Sequence, residues 1–192
     1  MIKKHPASPF LLDLWACFII PAYTLLFAGS IKWFSTNFSV LAVTGKDHWR
    51  GFLVWGVLAG GYFLVMLVSL TRSLKQKWLR RVLYTVTAGA CICLGIALPL
   101  PYVPEYFPGI ARLHIMMAFS ACALLMGALL LAVVGLGREY RSFLRGWWAI
   151  VVCCAALFVL AGIISSALEV FFTISVTLFI RRLWLRVYRQ NQ

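Results

Sequence analysis

Pro99-Leu100-Pro101-Tyr102-Val103-Pro104-Glu105-Tyr106-Phe107-Pro108-Gly109-Ile110-Ala111-Arg112-Leu113-His114 is the stretch around which the rest of the chain is arranged. It holds four of the seven prolines together with a Glu, an Arg and a His, and long apolar runs flank it. Proline lacks a backbone donor and clashes with the preceding turn, so no helix passes through this segment uninterrupted. It ends one helix and opens the next.

The flanking runs set the class. Of the 192 residues, 63% are hydrophobic and 12% charged, with a mean hydropathy of +0.93, whereas an ordinary soluble domain is ~45–50% apolar. An all-α, polytopic integral membrane protein is expected, formed as a single membrane domain over 1–192. At roughly 20 apolar residues per crossing, the chain fits a six-transmembrane-helix bundle with helices at about 9–31, 51–70, 81–98, 109–137, 147–164 and 167–185. Ser8-Pro9 suits a helix start. Asp13 and Pro21 interrupt the first run, which favours a retained helix over a cleaved signal peptide, and Pro21 predicts a kink. Gly56-x-x-x-Gly60-Gly61 presents small residues to a neighbouring helix. All six cysteines lie within apolar runs and read as packing residues.

Eighteen Lys and Arg face five Asp and Glu. In a soluble chain this would suggest nucleic acid; here the basic residues fall between apolar runs, so no nucleic-acid partner is expected. Fourteen lie at the N-terminus, in 71–81, in 138–145 and from Arg181 onward, against four (Lys32, Lys46, Arg50 and Arg112) in the alternate loops. The positive-inside bias then predicts an N-in/C-in, multi-pass protein of the cell membrane, with 99–114, 32–50 and the Ser165-Ser166 turn outside.

Polar groups at membrane depth are costly and need a partner or a task. Glu169, Thr173 and Thr177 recur every four residues and share a helix face, which should look into the bundle. Asp47, His48, Arg50, Glu105, Arg112 and His114 fall on the same outer side. Asp47, His48, Glu105, Arg112 and His114, together with Glu169, are the ligand-binding candidates. The expected bond is between Glu169 and Arg112, Arg50 or His114, locking the outer end. Two histidines and three carboxylates suit zinc in principle. Their spacing is unspecific, and Arg112 and His114 sit about 200° apart around a helix, so neither a metal nor another cofactor is expected. Haem is disfavoured because His48 and His114 both lie at the boundary and His5 at the opposite one. Asp13 is expected to pair with Arg145 or Arg181. The basic loops on the inner side could hold anionic headgroups.

Trp33-Phe34-x-x-Asn37-Phe38-Ser39, Trp55-Gly56, Pro101-Tyr102-x-Pro104-Glu105 and Leu113-His114 resemble the small six-helix proteins of the DUF998 type, which are similar to the wider Frag/DRAM/Sfk group. The resemblance implies a six-helix fold and a link to lipid organisation and membrane trafficking, and carries no catalytic residue. Ceramidase-like membrane hydrolases also compare, but this chain lacks their paired His-x-x-x-His. The expectation is a non-enzymatic protein whose partners are membrane lipids or another membrane protein. The alternatives are a small-molecule transporter and a membrane-embedded hydrolase with its site at the outer mouth, around Glu105, His114 and Glu169.

Overall fold

The computed structural model describes residues 9–29, 32–45 and 47–190, and these are all-helical or loop. The elements are α1 (Pro9–Leu14), a π-helical turn (Trp15–Ile19), α2 (Ile20–Ala28), α3 (Phe38–Val43), α4 (His48–Arg72), α5 (Lys77–Ala97), α6 (Pro108–Leu136), a 3-10 turn (Arg138–Tyr140), α7 (Ser142–Ala161) and α8 (Ser166–Gln190). Five helical segments are long and apolar enough to cross a membrane: Phe10–Ala28, His48–Arg72, Lys77–Ala97, Pro108–Leu136 and Ser142–Ala161. Lys3, Lys4, His5, Ser8 and Lys46 lie outside the described residues.

Local chemistry places the ends. Pro21 leaves the carbonyl four residues before it without a helical donor. The chain answers with the π turn just upstream, in which the N–H of Ile20 reaches back to Trp15 O, so the disturbance expected at Pro21 takes this form. Gly29 ends α2 at φ +49° and Gly137 ends α6 at φ +109°, backbone settings that favour glycine. Pro108 occupies the first turn of α6, where its missing N–H would have had no helical acceptor.

Packing inverts the usual order. α7 is among the most apolar helices and one of the least buried, with Val152, Val159 and Leu160 exposed. α8 carries Glu169, Arg181, Arg182, Arg186 and Arg189, yet it buries twelve of its 25 residues and lies against α2, α4 and α7. Its Val176, Ile180 and Leu183 join Tyr62, Met66 and Leu70 of α4 and Leu129 and Val133 of α6 in the main core. A second, smaller cluster of Ala28, Phe38, Ala42, Phe52, Leu98 and Val170 forms around α3.

Candidate functional site

The α3 end of the bundle gathers a connected set of buried and half-buried polar groups. Asn37 caps α3 by accepting from the N–H of Val40 at 2.8 Å, as its short side chain favours. The adjacent orphan donor, Phe38 N–H, goes to Glu169 Oε2 of α8 at 2.6 Å. α8 is capped in return. Ser166 N–H donates to Thr36 O at 2.6 Å, Ala167 N–H to Trp33 O at 2.9 Å, and Leu168 N–H to Ser165 Oγ at 3.4 Å. Two helices that begin side by side therefore satisfy one another's first-turn donors, which would otherwise be stranded away from water.

Ser39 extends this clasp to α5 and α6. Its Oγ lies 2.7 Å from His114 Nε2, and His114 Nδ1 lies 3.0 Å from Ala97 O. A carbonyl only accepts, so Nδ1 carries the hydrogen; in the neutral ring Nε2 is then the acceptor and the Ser39 hydroxyl donates. His114 is 4% exposed, and Tyr102 lies beside it with ring centroids 6.0 Å apart.

Glu169 thus binds a backbone donor of α3, and no ion pair joins it to Arg112, Arg50 or His114 among the described residues. The physical reason is proximity: α3 places an unsatisfied N–H at the carboxylate, whereas Arg112 and Arg50 are exposed. Asp47, His48 and Glu105 are also exposed and do not converge on His114. Among the described residues, no three His, Cys, Asp or Glu side chains gather where one metal ion could be held. Sequence reading missed Ser39, Asn37 and Ser165 as partners. An Asn directly before a mostly apolar six-residue segment is a cap signal, and it was there to be read at Asn37.

At the opposite end Asp13 forms an ion pair with Arg181, one of the two partners expected for it. Arg181 also lies over the Trp184 ring, 5.1 Å from its centroid, and Trp184 Nε1 donates to Ser69 Oγ at 2.8 Å. Between the two polar ends, a cavity of ≈ 90 Å³ opens among α4, α5, α6 and α8. Its lining is apolar apart from Thr87, Thr173 and two cysteines.

The short motifs quoted above meet in space. Phe38 packs edge-on against Trp55 at 5.0 Å, Ser39 bonds His114, and Tyr102 flanks it. No protein-family model, curated protein or solved structure matches the chain.

Proposed function

We propose that the chain is a six-span, N-in/C-in protein of the cell membrane that associates with lipid and carries no catalytic activity. α8 supports the sixth span: it buries twelve of its 25 residues and gives Glu169 and Arg181 partners on neighbouring helices, as expected where apolar faces turn to lipid and polar groups at depth are paired. The carrying observation for the function is the clasp. Buried His114 and half-buried Glu169 and Ser39 at the α3 end are engaged with one another's helices, while the internal cavity is mostly apolar and of a size to take the end of a hydrocarbon chain. The lipid organisation implied by the DUF998 resemblance points the same way.

The test is purification in mild detergent, followed by native mass spectrometry and stepwise delipidation. Phospholipid carried through purification, with thermal stability lost on delipidation and recovered on adding lipid back, is the expected outcome. A protein indifferent to lipid would overturn the reading.

One observation favours a hydrolase instead. A serine hydroxyl bonded to a histidine whose other nitrogen is held by an acceptor is the arrangement that activates a serine nucleophile, and Ser39, His114 and Ala97 O supply it. A fluorophosphonate reagent separates the two readings. The hydrolase reading requires a covalent adduct on Ser39 that Ser39→Ala and His114→Ala both abolish; the lipid-association reading expects no adduct.

A further inference from the structure

The end of α8 away from Glu169 lies beside a groove that the clasp does not use. It runs between α7 and α8 as two adjoining cavities of ≈ 380 and ≈ 450 Å³, which share Phe143 and Arg182. One half is mostly apolar, with Ile150, Leu178 and Phe179 beside the hydroxyls of Ser142 and Ser175 and with Gly146 contributing no side chain. The other half is bordered by Arg182, Arg186 and Arg189. These three are spaced by four and three residues, so they share one face of α8. All three are exposed, and none has a carboxylate within ion-pair distance among the described residues. Glu139, an acid at the same end, is bonded to Gln190 instead.

A slot with a mostly apolar half and three guanidinium groups that form no ion pair among the described residues complements a single amphiphile with one hydrocarbon chain and an anionic head. We infer that this groove binds one anionic phospholipid, its chain lying along Ile150 and Leu178 and its phosphate held by Arg182, Arg186 and Arg189. The inference deepens, and rests on, the lipid-association reading above. Guanidinium groups match phosphate oxygens in a fork geometry that a single ammonium cannot. The chain gains little by leaving bulk lipid, which is equally apolar, so the arginines set the preference between headgroups and the slot fixes the lipid's place. A zwitterionic lipid brings its own cation to the arginines and is disfavoured.

The test uses the full chain in phosphatidylcholine vesicles carrying a minor fraction of spin-labelled phosphatidylglycerol or, in parallel, spin-labelled phosphatidylcholine. The motionally restricted fraction reports lipid held by the protein. The expected result is a preference for phosphatidylglycerol that falls about fivefold for each arginine removed, so that R182Q/R186Q nearly abolishes it. R80Q/R81Q, which takes the same charge from exposed positions elsewhere, should leave it in place. Gly146→Leu should reduce the restricted fraction by filling the slot. The three arginines are exposed, so their variants keep the packing even if Gly146→Leu does not fold. Equal restriction of both lipids would overturn the inference and leave lipid association standing; no restricted lipid at all would remove both. Equal losses from R80Q/R81Q and R182Q/R186Q would reduce the effect to general surface charge and overturn the groove. Displacement of the preference by inorganic phosphate, with Gly146→Leu without effect, would make this a site for the free anion and also overturn it.

Discussion

At the residue scale, Glu169 and His114 are distinguished by what each can still bond after substitution. Glu169 Oε2 accepts from Phe38 N–H, and a glutamine retains an oxygen for that donor. Glu169→Gln is therefore expected to cost under about 1 kcal/mol, and Glu169→Ala about 1–3 kcal/mol, because the latter strands a backbone donor. Thermal unfolding in detergent checks the order; equal losses would mean that charge, as in an ion pair with an arginine, matters more than the acceptor. His114 bridges Ala97 O and Ser39 Oγ with its two nitrogens, a span no other side chain reproduces. His114→Ala leaves a void and a Ser39 hydroxyl without its acceptor, while Ala97 O keeps the N–H of Leu100, with an expected cost of about 2–4 kcal/mol. That both residues need partners was legible in sequence, because isolated polar groups among apolar ones demand them. Their partners were not. Phe38 N–H and Ala97 O are backbone atoms, which no residue identity advertises, and Glu169 lies 131 positions from Phe38.

At the scale of elements, the long helices follow from hydropathy and from proline and glycine, whereas α3 does not. Its six residues are far too few to span a membrane, and an isolated helix of that length has no stability of its own. It exists because Asn37 and Glu169 cap its start and because Phe38 and Ala42 are buried in the smaller core. The glycines divide by the same logic of neighbours. A Cβ on Gly56 would fall 2.3 Å from Leu98 Cδ2, with Cδ1 and Cγ within 3.0 Å, so the whole leucine must move out of the α3-end core. A Cβ on Gly127 meets nothing within 4 Å. Gly56→Ala is expected to destabilise by about 1–3 kcal/mol, while Gly127→Ala is neutral or stabilising by up to about 1 kcal/mol through helix propensity. Midpoint shifts of opposite sign in parallel melts are the readout. A Gly56→Ala protein as stable as the parent would mean that α4 and α5 are not held at this separation.

At the scale of the whole molecule, burial and composition run in opposite directions, and this relation bears on how the bundle sits in its surroundings. Arg182, Arg186 and Arg189 of α8 are exposed; water would draw Glu169 and Arg181 outward as well and drive α7 inward. Instead α8 is central and α7 peripheral, the arrangement favoured when the surroundings are hydrocarbon. The two ends then differ in charge. Basic residues crowd the end that holds Arg72, Arg80, Arg81, Arg138, Arg141, Arg145 and the last turns of α8, while the α3 end carries few. In the proposed topology, the positive-inside bias turns the α3 end outward. Ser35 lies exposed in the turn before α3, and Ser73 follows the last residue of α4 at the basic end. In a cysteine-free background, a cysteine placed at Ser35 is expected to react with a membrane-impermeant maleimide added to intact cells. One placed at Ser73 should react only after the membrane is opened. The reverse pattern would invert the molecule, and reaction at both positions would overturn the proposed even number of crossings, with the start of α1 and the end of α8 on one side. Protection at Ser73 together with access at Ser35 would put the arginine groove against the cytoplasmic leaflet, where anionic headgroups are most abundant.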